Sequence, residues 1–542
     1  MTRECGPSFD AYDLLFLVCL FALVLGFAAH TFGDPPAEDA AILMRYSQHL
    51  AQGHGIVWNV GEGPVEGATD FLFMVILGGL AKLGMSLVAA ARLVDLVAHA
   101  LTVCLIYAAI RPASRAAAAF SASYLAFGPA FAYVSTCFGT PLFALFAATT
   151  WWLALRLRSA KGWAAPFGFA LSGLVLGLVR PEGVILAGLM LVAIVYRDGW
   201  RQSRPVIVAF IGVFAVLGGA YFVWRWHYFG YLLPNPFYVK GGFALHWSGF
   251  WMSLMNSSTL LGPLLFVYAA GLSMRRSARE TITHLIPIAG FTLAWMLLTN
   301  EQNLFMRFQY AVLPIALISW YPLWQLVCAR LDLRVSELGG PGLFLVASIV
   351  VAWLLLYRGG HWAYVEKEWD PDYDVGHILA AYQGKGYSLA TNQSGLLPLY
   401  SGWRALDTWG LNSPTIAHRG RVIDADLQAA HAEVIVFYTF RPRGPLDPEW
   451  TRWLETARTI RDYLRHNDYV LAAVVVPDEY EMFCYYVRRD CVDGPEIIRR
   501  IRSQESAWAA EGRVLSARPD QLKELGESGA PLVSLPTATD AN

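Results

Sequence analysis

The feature that most constrains this chain is a series of long apolar runs. The first, Leu14–Phe32, carries no Asp, Glu, Lys or Arg. Others follow at 89–110, 115–134, 140–157, 164–180, 182–196, 205–227, 257–274, 281–299, 308–329 and 341–357. A bilayer core offers backbone groups no water, so each run must satisfy its own N–H and C=O groups as a helix, and about 20 residues suffice to cross. The pattern predicts a polytopic α-helical membrane protein with about 11 spans. Composition agrees: 56% of residues are hydrophobic and 15% charged, against about 25% charged in soluble domains. Net charge is −1, which leaves no electrostatic case for a nucleic-acid partner.

Basic residues set the orientation. They gather in alternate connections: Arg111 and Arg115; Arg156, Arg158 and Lys161; Arg197, Arg201 and Arg204; Arg275, Arg276 and Arg279; Arg330 and Arg334. By the positive-inside rule these connections are cytoplasmic. The N-terminus is then cytoplasmic and the C-terminal part lies outside, as in a multi-pass protein of a bacterial inner membrane. Phe71–Leu83 is apolar but too short to span. Crossing there would also invert every later basic loop, so it is expected to lie along the outer face. After Arg358 the apolar runs shorten to strand length, in YSLAT, EVIVFYTF, YVLAAVVVP and EMFCYYVRR, with a helical stretch at Glu449–Asn467. The expected organisation is a transmembrane domain over 1–357 with a first outer loop at 33–88, an extracytoplasmic α/β domain over 358–508, and a flexible tail over 509–542.

Chemistry concentrates in the first outer loop. Asp34–Asp70 is polar, with six acids and two histidines. Asp34-Pro35-Pro36 signals a helix start, placing Glu38 and Asp39 in the first turn. Two acids there stabilise the helix dipole. A positioned carboxylate can also take the proton of an attacking sugar hydroxyl. Gly53-His54-Gly55 ends the helix, with His54 as a turn residue or a base. No His/Cys spacing marks a metal site. Several acids allow Mg or Mn, and no metal is expected to be obligatory. Seven cysteines include one pair in the polar C-terminal part, Cys484 and Cys491. They form a disulfide or remain separate thiols.

The loop EDAAILMRYSQHLAQGHGIVWNVGEGPVEGATDFLF resembles the first-loop signature of the GT-C glycosyltransferases, in the branch holding the mycobacterial terminal arabinofuranosyltransferases. Further blocks match in order: Leu178-Val179-Arg180-Pro181-Glu182-Gly183, Tyr228 through Lys240, Arg307-Phe308-Gln309-Tyr310, Ala390-Thr391-Asn392-Gln393-Ser394-Gly395, and Asp407-Thr408-Trp409-Gly410-Leu411-Asn412. The resemblance implies an inverting transferase that takes its sugar, an arabinofuranose or another pentose or hexose, from a polyprenyl-phosphate donor. The acceptor would be a cell-envelope glycan or glycolipid, with membrane lipids around the site. It implies Glu38 and Asp39 as the catalytic acids. Substrate contacts would come from Arg45, His54, Asn59, Glu66, Thr69, Asp70, Asn235 and Tyr238. Two departures stand out. Glu38 replaces the usual Asp, which leaves open which acid is the base, and Gly139 stands where the family usually has Glu.

A departing lipid phosphate calls for fixed positive charge. Arg180, Lys240 and Arg307 fall near the outer surface in this topology and are the expected donor-phosphate ligands. Arg180 has an alternative partner in Glu182, and Arg307 has the alternative of snorkelling. Tyr400, Trp403 and Trp409 near Asp407 and Asn412 form either a carbohydrate platform or part of a packed core. A lipid-linked polysaccharide polymerase or ligase is an alternative reading, disfavoured by the first-loop position of the acids. A non-enzymatic transporter is another, disfavoured by the lack of repeat symmetry between halves.

Overall fold

The computed structural model describes residues 9–30, 32–128, 130–160, 162–240, 245–297, 303–331, 369–441, 448–518, 521 and 525. The expected span at 341–357, Cys5, Lys161, Arg334 and most of the expected tail lie outside the described residues. The chain divides into two compact units. One comprises Met1–Asp34, Thr69–Gly230 and Ala244–Glu368. The other comprises Pro35–Ala68, Tyr231–Phe243 and Trp369–Asn542. The polar first loop is thus part of the same unit as the C-terminal sequence.

The first unit is helical. Among the described residues, four helices are long and apolar enough to cross a membrane: Leu87–Ile110, Trp200–Phe229, Trp247–Ser273 and Val312–Arg330. With these the chain is built as a multi-pass membrane protein. Phe71–Lys82 has 12 residues, about 18 Å at 1.5 Å per residue and short of a 30 Å core. Several expected segments differ in detail, two of them most. The 115–134 run breaks into Arg115–Ala126 and Ala130–Thr136, because the proline following Gly128 disfavours helix at the preceding residue. The 257–274 run begins earlier, at Trp247, and passes through a 3-10 turn at Gly262–Leu264. Buried polar groups stitch these helices together. Ser319 accepts from Trp151 Nε1 at 2.9 Å and meets His284 Nδ1 at 2.8 Å. Trp320 Nε1 donates to Ser121 at 2.8 Å. Where helices face lipid, such hydrogen bonds and close packing replace the hydrophobic effect as the force between them.

The second unit is built on a five-stranded sheet of order β2-β1-β3-β5-β4. The strands are β1 (Ser388–Thr391), β2 (Arg404–Asp407), β3 (Val434–Phe440), β4 (Tyr469–Val475) and β5 (Glu481–Arg488). β1 runs parallel to both β2 and β3, and β5 is antiparallel to β3 and β4. Four strands coincide with the apolar runs in the sequence. β2 has no such run and is the additional one. Ile435, Phe437, Leu471, Val474 and Tyr486 pack with Ile460 and Leu464 of the Pro448–His466 helix into one core. Trp403 and Trp409 are each 3% exposed, so the alternative of packed tryptophans holds and neither offers a ring face to a glycan. Cys484 and Cys491 are both buried free thiols, which corrects the disulfide alternative: Cys484 is enclosed within β5.

Candidate active site

In the α/β unit, the loops after β1 and β2 hold the first outer loop. These strands are parallel, and their carboxyl ends are where open α/β sheets characteristically receive ligands. Here they receive the chain's own segment. Glu38 begins the helix Glu38–Ala51, and its two carboxyl oxygens accept from the backbone N–H groups of Gly395 and of Leu396, the latter at 2.7 Å. Gly395 is required by space, since a Cβ there would lie 1.8 Å from the Glu38 carbonyl oxygen. Gly67, in the Val-Glu-Gly segment, has the same kind of demand. A Cβ would fall 2.0 Å from Asn412 Oδ1 and 2.6 Å from the Tyr46 hydroxyl, and Tyr46 donates to that Asn412 oxygen at 2.9 Å. Asp407 builds the receiving loop by accepting from the N–H groups of Trp409, Gly410 and Asn412 at 2.7–2.9 Å.

Electrostatics around Glu38 involve a residue that its sequence context does not single out. Asp372, fully buried near the start of the helix Pro371–Ala380, accepts from the Tyr485 hydroxyl at 2.6 Å. Its second oxygen is buried without a hydrogen-bond partner among the described residues. Close packing, then the charge of Asp372, push Glu38 above the ordinary carboxylate range, against the pull of its two N–H donors. Burial raises Asp372 as well. Two carboxyls that repel one another disfavour double ionisation. Asp372 follows Asp370-Pro371, which reads in sequence as a helix start and gives no hint of a partner at Glu38.

Arg45 and Asn59, expected among substrate contacts, are turned inward. Arg45 is 3% exposed. It donates to the carbonyls of Trp58 at 2.9 Å, Trp403 at 2.8 Å and Pro398, and to Asn59 Oδ1 at 3.2 Å. Asn59 pairs with the edge strand β2 as another strand would. Its Oδ1 accepts from Ala405 N–H at 2.9 Å and its Nδ2 donates to Ala405 C=O at 3.1 Å. An open edge strand is a liability, and Asn59 with Trp58, which also donates to Ala405 C=O at 2.9 Å, closes this one. The geometry makes both residues fasteners of the loop. His54 is an exposed residue at the helix-ending turn, with its ring 6.3 Å from that of His49. The Glu66 carbonyl accepts from Asn235 N–H at 3.1 Å. The Asn235 side-chain Nδ2 is buried with no partner among the described residues. Tyr238 lies with its ring 4.1 Å from that of His418. Lys240 is half-buried at the end of the helix Asn235–Lys240.

In the helical unit, two of the three expected cations come together. Arg307 lies 3.7 Å over the Phe138 ring and 5.0 Å from that of Phe308. Arg180 lies 5.5 Å from the same Phe308 ring. Arg180 also pairs with Glu182 at 2.6 Å and with Asp70 at 3.5 Å, so the alternative partner is real without excluding the cluster. Thr69 donates to Asp70 at 3.3 Å. Arg92 is engaged elsewhere, donating to the carbonyls of Phe32, Asp34 (2.7 Å) and Ser135 (3.3 Å). The backbone around Arg307 is unusual. Phe305, Met306 and Cys137 have φ of 53°, 62° and 64°, a region that costs side-chain-bearing residues of order 1–3 kcal/mol and gathers at functional sites. Phe305 and Met306 immediately precede Arg307, and Cys137 precedes Phe138. Tyr133 holds this turn through its hydroxyl on the Phe305 carbonyl at 2.6 Å, and Asn303 through Phe308 N–H at 3.0 Å and Gln309 at 2.8 Å. Gly139, the position of the family's usual Glu, has no room for a side chain: a Cβ would meet the Phe73 ring at 2.8 Å.

Comparison with known proteins places this architecture. Residues 361–492 match a family described as a domain of unknown function, DUF8728. The terminal β-(1→2)-arabinofuranosyltransferase of Mycobacterium tuberculosis is 26% identical over 265 residues, which is 45% of this chain and 41% of that protein. The match therefore spans less than half of the relative's length. The crystal structure of ArnT from Cupriavidus metallidurans superposes with a TM-score of 0.53 at 15% identity, over 88% of this chain and 98% of that one. The likeness establishes the fold.

Proposed function

We propose that this chain, a member by fold of the GT-C membrane glycosyltransferases, moves a sugar from a polyprenyl-phosphate donor to a hydroxyl of a cell-envelope glycan or glycolipid. The fold shared with ArnT and the partial similarity to an arabinofuranosyltransferase support the reaction class. The name of the partly similar arabinofuranosyltransferase favours a pentose such as arabinofuranose as the sugar. The observation that carries the reading is the Arg180–Phe308–Arg307 assembly, with strained backbone immediately before Arg307. Two guanidinium groups held close in a protein of this kind call for a functional reason, and binding a lipid phosphate is the one that the reaction supplies.

The acceptor oxygen attacks the anomeric carbon as the bond from that carbon to the phosphate oxygen breaks. The bonding electrons leave with the polyprenyl phosphate, whose charge Arg180 and Arg307 stabilise. Asp39 takes the hydroxyl proton. Glu38 is assigned a different part. Both its oxygens are occupied by backbone N–H groups, so it positions the helix start that carries Asp39. Attack opposite the leaving group inverts the anomeric centre. The reading requires no metal, because the arginines offset the phosphate charge; Mg or Mn dependence is checked with EDTA. It places the reaction on the outer face of a bacterial inner membrane.

The test is transfer from a synthetic polyprenyl-phosphate pentose by the purified full chain in nanodiscs. Arg180→Met and Arg307→Met should each lower kcat/KM about a hundredfold or more, the usual scale for one electrostatic contact to a developing charge. Wild-type rates in both variants would reject the phosphate assignment.

A further inference from the structure

We infer that Tyr373, His377 and Tyr400 form a subsite that binds the acceptor glycan beside the helix start carrying Asp39. The inference rests on the glycosyltransferase reading and adds to it where the acceptor is held.

The three rings come from two helices, Pro371–Ala380 and Leu396–Ser401. Tyr373 and Tyr400 lie 4.8 Å apart, Tyr373 and His377 4.6 Å, and His377 and Tyr400 4.5 Å in a stacked pair at 28°. Gly376 lets the helices approach this closely, since a Cβ there would sit 3.0 Å from Tyr400 Cβ. The cluster is half-buried at both tyrosines and exposed at His377. It joins apolar ring surface to polar edges, the combination that suits a sugar ring and its hydroxyls.

The imidazole has a defined chemical sense. His377 Nδ1 lies 2.8 Å from the Tyr373 carbonyl oxygen. A carbonyl only accepts, so Nδ1 is the donor in this contact and the rest of the ring is left for other partners. An exposed imidazole beside stacked tyrosine rings with their hydroxyls fits the hydroxyls and apolar face of a carbohydrate.

Location supplies the other half of the argument. The N–H of Leu396, at the start of the helix that carries Tyr400, bonds Glu38, the neighbour of Asp39. Four residues separate Leu396 from Tyr400, about 6 Å of helix rise. The other helix contributes Asp372, whose charge acts on Glu38. Both supports of the cluster are therefore the supports of the acid pair. Trp403 and Trp409, the more obvious aromatics in the sequence, are buried in the core.

The test measures kinetics of the full chain in nanodiscs with the same pentose donor and an octyl arabinofuranosyl disaccharide as acceptor probe. Tyr400→Ala, which keeps the Cβ that packs on Gly376, and His377→Ala should each raise the acceptor KM about five- to tenfold, the worth of one ring contact. Donor KM, and kcat at saturating acceptor, should be unchanged. Tyr400→Phe, which retains the ring, should restore most of the wild-type acceptor KM. An unchanged acceptor KM in both alanine variants overturns the subsite. A rise as large in Tyr400→Phe as in Tyr400→Ala overturns ring stacking as its basis. Absence of transfer by the wild-type chain would instead sink the glycosyltransferase reading itself.

Discussion

Gly395→Ala is a one-methyl perturbation aimed at the contact between the first loop and the sheet. Gly395 has φ −100° and ψ −83°, so negative φ poses no obstacle to alanine and the demand is for space. The added Cβ would lie 1.8 Å from the Glu38 carbonyl oxygen, where ordinary contact begins at 3.4 Å, so one backbone must retreat by roughly 1.6 Å. Overpacking of this kind costs about 1–3 kcal/mol. The retreat also pulls the Gly395 and Leu396 N–H groups from Glu38 and shifts the helix start that carries Asp39. A misplacement near 1 Å can cost about a hundredfold in rate. The assay is initial-rate transfer in nanodiscs alongside thermal unfolding in detergent. Gly63→Ala is the control, because nothing lies within 4 Å of a Cβ there, and its effect should stay within about 0.5 kcal/mol. If Gly395→Ala keeps the rate and melting temperature of the control, the loop is not held as described.

Asn59→Ala should destabilise the unit by about 1–3 kcal/mol, because it strands the buried Ala405 N–H and removes an Arg45 partner. Thermal melts of the purified protein check this. Asp372→Asn should change the pH dependence of stability. Burial raises both Asp372 and Glu38 in the folded chain. The stability tied to their neutral forms is then fully present below the ordinary carboxylate range and is lost as pH climbs through the raised titrations. Removing one charge should flatten that loss, so the variant gains on wild type between about pH 5 and pH 8 while the two are alike near pH 4. Parallel melting curves across that range would contradict the pairing.

Much of the fold is legible in the residues because hydrophobic length is a direct physical demand. Runs such as Val434–Phe440 and Glu481–Arg488 are strands by pattern and by structure alike. β2 is not legible: Arg-Ala-Leu-Asp is too short and polar to signal a strand, and its edge is completed by Asn59, nearly 350 positions earlier. The same distance hides the role of Arg45. A charged residue in a motif looks like a ligand-binder until its carbonyl partners at Pro398 and Trp403 are known. Arg180 and Arg307 are visible as cations, but their convergence on Phe308 is tertiary. The strained turn beside Arg307 is silent as well, since Phe305 and Met306 are not the glycine or asparagine that usually marks left-handed backbone.

The most direct measurement compares Asp39→Asn with Glu38→Gln in single-turnover transfer from the polyprenyl-phosphate pentose. If Asp39 is the base and Glu38 the anchor, Asp39→Asn loses about 10²- to 10⁴-fold in rate with an unchanged melting temperature. Glu38→Gln loses stability and a smaller share of the rate. Near-wild-type transfer by Asp39→Asn, or a deeper loss in Glu38→Gln without destabilisation, would contradict the account.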